Sequence, residues 1–176
     1  MDRVLTITTK NDEQFLRTKT EEFDCAKLKK PETVRELRDI VRRMRKTMHA
    51  MDGVGLSANQ IGLPLRLFVA QVPDAQEKMK FYAILNPRLE KMSSEKETIE
   101  EGCLSVPLRY GPVPRHHQVI LDGYNLNGKK VKIKAWGLLA RVFQHEVDHL
   151  DGKLFIDRAL EVHVLETEAS GGKPRI

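Results

Sequence analysis

Residues 137–152 read GLLARVFQHEVDHLDG. Leu138, Leu139, Val142, Phe143 and Leu150 recur at helical spacing and predict a helix over 137–150 with one apolar face. Asp151 and Gly152 follow, and the glycine is free to take the left-handed conformation that ends a helix. Within the helix stands His145-Glu146-Val147-Asp148-His149. At about 3.6 residues per turn, positions i and i+4 share a face. Both imidazoles can therefore converge on one metal ion, with Glu146 beside them, placed as a general base for water activated there. The side of the helix that carries His145 and His149 is apolar, so these side chains point inward. Two inward histidines and a glutamate are costly unless something pairs with them; hydrogen bonds alone are the blander way to satisfy them.

The segments around this helix set the fold. Residues 118–124 and 130–135 form two strand-like runs, with Asn127-Gly128 between them as a hairpin turn pair. LRLFVAQV at 65–72 is apolar and bounded by prolines, which predicts a strand; residues 81–85 predict another, closed by Asn86-Pro87. A first helix is expected over 31–51. Proline suits its first position, and Val34, Leu37, Val41, Met44 and Met48 form one stripe of core packing. Gly53 and Gly55 should end it and open a loop, and a last short helix is expected near 160–169. Strands and helices do not alternate regularly. The expected fold is α+β: antiparallel sheets packed around a central helix bearing H-E-x-x-H, with an N-terminal helix. One catalytic domain should span 1–169, with a flexible tail, SGGKPRI, at 170–176.

The 176 residues are enough for one core, and 31% charged against 40% hydrophobic content speaks against disorder. No apolar run approaches the roughly 20 residues of a membrane span. The first residues, Met1-Asp2-Arg3-Val4-Leu5-Thr6, lack the form of a signal peptide, so a soluble cytoplasmic protein without membrane partners is expected. Cys25 and Cys103 are too few and too far apart for a disulfide framework. The net charge of +5 comes from scattered basic residues, dense at 27–30 and 42–46. These are solvated faces or a weak attraction to a polyanion such as a ribosome.

Two histidines do not complete a catalytic metal site, which usually takes three protein ligands. Downstream, only Glu161, Glu166, Glu168 and His163 remain, and none has a context that marks a ligand. Upstream, Cys103 is the candidate, within Glu101-Gly102-Cys103-Leu104-Ser105-Val106-Pro107. A thiolate with two imidazoles suits zinc or ferrous iron, although a free cysteine is commonly just a small buried hydrophobe. Cys25 is read as the latter.

Three separated motifs now carry a resemblance. Gly53-Val54-Gly55-Leu56-Ser57-Ala58-Asn59-Gln60 is similar to G-x-G-L-A-A-x-Q, Glu101 to Ser105 is a complete E-G-C-L-S, and Gln144 to His149 is Q-H-E-x-D-H. In this order they resemble the peptide deformylase family, over about residues 31–157. The resemblance implies a metal-dependent hydrolase that removes the formyl group from N-formylmethionyl peptides. It implies Cys103, His145 and His149 as ligands of one divalent ion, ferrous iron in the cell, with zinc, nickel or cobalt able to replace it. Glu146 would be the acid–base residue, and Gln60 and the backbone N–H of Leu104 the oxyanion donors. The Gly55 carbonyl would hold the formyl N–H, and Val54, Leu138 and Val142 would line the methionine pocket. Glu101 and Arg115 match a pair that forms a salt bridge. The partners implied are N-formylmethionyl nascent peptides and, transiently, the ribosome; no sequence-specific nucleic acid is implied.

The chain departs from the family in places. Ser57 replaces an alanine; Tyr110 stands where an arginine is frequent, beside Arg109; Arg141 lies one turn before His145, near the expected pocket, where an aliphatic residue is also found. A basic C-terminal helix and a His-Pro-Asp-type N-terminal sequence are missing. The alternatives are a hydrolase of the same type acting on another N-acyl or amide substrate, a zincin endopeptidase with a downstream ligand, and a non-enzymatic metal module.

Overall fold

The computed structural model describes residues 1–74 and 76–164. Among them are three α-helices, α1 (Lys10–Leu16), α2 (Pro31–Ala50) and α3 (Gly137–Leu150). Eight strands complete the fold: β1 (Gly55–Ser57), β2 (Leu67–Pro73), β3 (Met79–Met92), β4 (Lys96–Cys103), β5 (Val106–His116), β6 (Gln118–Tyr124), β7 (Lys130–Trp136) and β8 (His163–Val164). One sheet runs β1-β2-β3-β6-β7 and the other β4-β5-β8, and every pairing is antiparallel. Helix and antiparallel sheet are thus combined as an α+β fold.

The apolar run at β2 is explained by burial on both faces. Phe68, Ala70 and Val72 join Val142, Phe143 and Val147 of α3 in one core cluster. Leu67 and Val69 join Leu37, Val41, Met44 and Met48 of α2 in another. Phe143 packs against Phe68 and edge-on against Tyr82, with ring centroids 5.5 and 5.4 Å away. A third cluster joins Cys103, Val106 and Val113 of the smaller sheet to Leu154 and Phe155.

α3 covers the span expected of it, but its burial is not one-sided. Every residue from Ala140 to Leu150 is buried, while Leu138, assigned to the apolar face, is 48% exposed. Gly152 takes a left-handed φ of 73° past the helix end. α2 ends one residue early, and the left-handed position falls on Asp52 (φ 54°), not on a glycine. The Gly53 N–H then reaches back to the Met48 carbonyl at 2.9 Å.

β3 does not close at Asn86-Pro87. It continues to Met92 through a register shift between Leu85 and Arg88. Asn86 takes φ 49°, which asparagine adopts more readily than most residues, and its side chain accepts from the Phe23 N–H and donates to the Phe23 carbonyl, both at 2.8 Å. The β6–β7 hairpin forms, but Asn127 is not left-handed; only Gly128 is, at φ 75°. The turn is a longer loop in which the Asn125 side chain accepts from the N–H of Asn127 and Lys129. The helix expected near 160–169 is replaced where described by an extended segment, with β8 on β5. The rest of it, and the tail at 170–176, lie outside the described residues.

Sequence reasoning did not delimit α1, β1, the β4–β5 pair that carries Cys103, or β8. β4 begins with five exposed, mostly polar residues. β5 contains Pro107, Pro112 and Pro114. Pro112 presents its carbonyl to the Leu160 N–H, away from β4, so its missing N–H costs the β4 ladder nothing.

Candidate active site

Cys103 ends β4, while His145 and His149 lie one turn apart on α3. All three are buried, and one ligand atom from each lies within 4.8 Å of the others. Cys103 Sγ and His145 Nε2 each stand 3.1 Å from His149 Nε2. Ligands of a tetrahedral ion at ordinary bond lengths stand about 3.4–3.5 Å apart, so these two separations come within a few tenths of an ångström of what a divalent cation needs. The Nδ1 of His145 faces Glu101 at 3.0 Å, a contact that would hold the ring with Nε2 available to an ion at the cluster.

Charge around the cluster supports the same fit. Burial lowers the His145 pKa, but Cys103 and Glu101 outweigh it and raise it to about 10. His149 is held well below its ordinary value by burial and by the charge of His145. Three buried donor atoms that face one another in this way would all be partnered at once by a divalent ion between them. Of the downstream candidates, His163 faces Glu100 at 3.2 Å and Glu161 is exposed; neither joins the cluster. Glu166 and Glu168 lie outside the described residues. Cys25 is half-buried and accepts a long contact from Asn86.

Glu146 is fully buried beside the two histidines. Burial pushes its carboxyl up to about 7, against the opposing pull of His145 and of a hydrogen bond from Ser57. Oε2 accepts from Ser57 Oγ at 2.6 Å, and Oε1 has no partner among the described residues. A Cβ on Gly55 would stand 2.3 Å from Oε1, so only glycine lets β1 pass so close to this carboxylate. Gln60, on the 3₁₀ turn Ala58–Ile61, accepts from the Ser57 N–H at 2.8 Å. Its Nε2 donates to Ser105 Oγ at 3.1 Å and points at Cys103 Sγ, 3.6 Å away. Leu104 follows Cys103 in the turn between β4 and β5. Val54 packs on the same cluster as Val142, whereas Leu138 belongs to no core cluster.

Glu101 and Arg115 meet as a buried bidentate pair, with both bonds at 2.9 Å. Arg141 is turned into this ion-pair network. It is buried, with Nη1 2.7 Å from Glu101 Oε1 and further bonds to the Val113 and Glu97 carbonyls. Arg115 also bonds Asp148, which accepts twice from Arg158 at 2.6 Å. Burial pushes the Glu101 carboxyl up, but Arg115 and His145 more than reverse this and hold it well below the usual carboxylate range. Tyr110 packs over Gly102 and stacks on His163, while Arg109 is exposed.

Sequence reasoning missed four contributors. Asp148 and Asn59 lie inside the quoted motifs without an assigned role; Asn59 donates to the His149 carbonyl at 2.6 Å. Ser105 supplies an N–H 3.4 Å from Cys103 Sγ. Ser57 was visible only as a departure from the usual alanine.

Replacing Cys103 by serine exchanges a soft thiolate for a poorer donor. Metal retained after dialysis against a chelator, measured by elemental analysis, is expected to fall more than about tenfold. Undiminished stoichiometric metal would place the third ligand elsewhere.

The chain matches the family model for polypeptide deformylase over residues 4–164. It is 38% identical over 175 residues to a peptide deformylase of Chloroflexus aggregans, covering 93% of this chain and 89% of that protein. It is 45% identical over 115 residues to one of Syntrophobacter fumaroxidans, covering 65% of this chain and 67% of the relative. Among solved structures, peptide deformylase from Thermotoga maritima superposes with a TM-score of 0.79 at 34% identity, covering 92% of this chain and 99% of that one. The Met-Ala-Ser-bound class I type b peptide deformylase of Acinetobacter baumannii gives 0.79 at 30% identity, covering 90% and 98%.

Proposed function

The chain belongs to the polypeptide deformylase family and removes the N-formyl group from nascent polypeptides, and from that premise we propose how its own residues do so. Cys103, His145 and His149 would hold one divalent ion, ferrous iron in the cell, which when bound would supply a Lewis acid and activate water near neutral pH. Gln60 Nε2 and the Leu104 N–H donate to the formyl oxygen as negative charge develops on it. Glu146 takes the proton released when water attacks the formyl carbon and delivers it to the leaving amine, which frees formate and the methionine N-terminus. Burial, which pushes this carboxyl up, favours its taking up a proton. The Gly55 carbonyl accepts from the formamide N–H, which sets the scissile bond against Glu146. Val54, Val142 and the exposed Leu138 receive the methionine side chain.

The observation that carries this reading is the juxtaposition of three buried donor atoms within 4.8 Å with a buried carboxylate whose Oε1 has no partner. α3 is the central element in it, since it carries two ligands and the base. Residues 1–169 act as one catalytic domain in the cytoplasm. Transient contact with the ribosome is the partner reading that a net charge of +5 favours. No described helix is long and apolar enough to cross a membrane.

Anaerobically purified protein is expected to release formate from formyl-Met-Ala-Ser, and to leave acetyl-Met-Ala-Ser intact. Chelation should abolish release, and added ferrous ion should restore it. No formate from fully loaded protein would sink the deformylase reading. Hydrolysis of the acetyl peptide at a similar rate would move the substrate to a broader class of N-acyl peptides.

A further inference from the structure

Ser57 is fully buried at the end of β1. Its Oγ has two acceptors on one residue: Oε2 of Glu146 at 2.6 Å and the Glu146 backbone carbonyl at 3.1 Å. A hydroxyl has one proton to donate. The shorter distance falls in the range of a hydrogen bond to an ionised oxygen, the longer beyond the usual O–H···O range. The proton therefore belongs mainly to the carboxylate. The last torsion of a glutamate is broad and roughly two-fold, so a carboxylate without such an anchor exchanges its oxygens freely. Glu146 Oε1 has no hydrogen-bond partner and lies against Gly55, where a Cβ would be 2.3 Å away.

We infer that Ser57 is a positioning residue whose hydroxyl pins Oε2 of Glu146, so that Oε1 is the oxygen left to carry the proton. The inference rests on Glu146 being the proton carrier. The same residue holds a second group by its backbone: the Ser57 N–H donates to Gln60 Oε1 at 2.8 Å, which turns Gln60 Nε2 towards Cys103 and Ser105. One residue thus sets the relative orientation of the base and the proposed oxyanion donor. Alanine removes both contacts of the hydroxyl with Glu146 but leaves the Ser57 N–H on Gln60 Oε1, so the base and the oxyanion donor are separable by experiment.

The experiment compares wild type, Ser57→Ala, Ser57→Thr and Glu146→Gln at equal metal content, with formyl-Met-Ala-Ser as substrate. Alanine is expected to lower kcat about tenfold with KM changed less than about twofold, the scale of losing one hydrogen bond to a charged group. A crystal structure of Ser57→Ala should show the Glu146 carboxylate turned about its last torsion or spread over two orientations. Threonine keeps the hydroxyl and should recover most of the rate. If alanine does not fold, Ser57→Cys keeps the volume with a weak donor and must show the same loss. The inference is overturned by wild-type kcat in the alanine variant, by an unmoved carboxylate in its crystal structure, or by a threonine variant as slow as alanine. Undiminished activity in Glu146→Gln would instead strike at the proton-carrier reading itself.

Discussion

Replacing Glu146 by glutamine is expected to lower kcat by roughly 10²–10⁴-fold, the usual worth of a positioned general acid–base, while the protein keeps its fold and its metal. Glu146 is not one of the three atoms that converge on the metal position, so the ligand set stays whole. Glutamine has the same shape, and its amide oxygen can still accept from Ser57 Oγ, which lies 2.6 Å from Oε2. What it cannot do is take a proton and return it. The side chain is fully buried, and a neutral group there costs less desolvation than a carboxylate; the melting temperature should hold or rise. KM should change little, because the lost interaction belongs to the transition state. Steady-state kinetics beside elemental analysis separate this from metal loss. A kcat within tenfold of wild type at full metal occupancy would remove Glu146 from the proton path.

How much of this arrangement was legible in the sequence depended on the range of the contacts involved. α3 was readable because its period, its histidine spacing and its terminal glycine are all local signals. The two imidazoles came with it. The strand pair that delivers Cys103 was not, since charge on β4 and prolines on β5 erase the apolar alternation that marks a strand. Only the motif around Cys103 pointed there. Arg141 shows the limit from the other side. Its position one turn before His145 places it on the same face, and both do reach the same partner, Glu101. That partner is 40 residues from Arg141, so spacing within the helix suggested a pocket-facing arginine where the fold has a buried ion pair. Ser57 and Glu146 are 89 residues apart, and no local pattern announces a contact at that range. The described part of the helix expected at 160–169 is extended for a related reason: His163 and Val164 lie beside a sheet edge and take their conformation from that edge, here β5.

Glu101→Gln is expected to cost about 3–5 kcal/mol of stability, the scale of removing one partner from a buried ion pair. Glu101 accepts four hydrogen bonds: two from Arg115, one from Arg141 and one from His145. Its side chain and those of both arginines are almost entirely buried. Glutamine offers one acceptor oxygen and turns an amide N–H₂ towards guanidinium groups that have no lone pair to give. Arg115 keeps Asp148, and Arg141 keeps two carbonyls, but the charge that balanced them is gone from a site water does not reach. For a chain of this length the melting temperature should fall by roughly 10 °C. The comparison that gives the number meaning is Arg158→Met. Arg158 is 43% exposed at the outer end of the same network, where an ion pair is worth about 1 kcal/mol or less. A fall for Glu101→Gln no larger than for Arg158→Met would show that burial does not set the weight of these charges. Metal affinity supplies the second axis. His145 loses the acceptor that fixes its Nδ1–H, and such outer partners typically govern 10–100-fold in affinity. Arg158 touches no ligand, so its variant should bind metal as wild type does. A variant that melts early but retains metal would divide the network into a brace for β4 and a passive neighbour of His145; loss of both together is what one carboxylate serving both would produce.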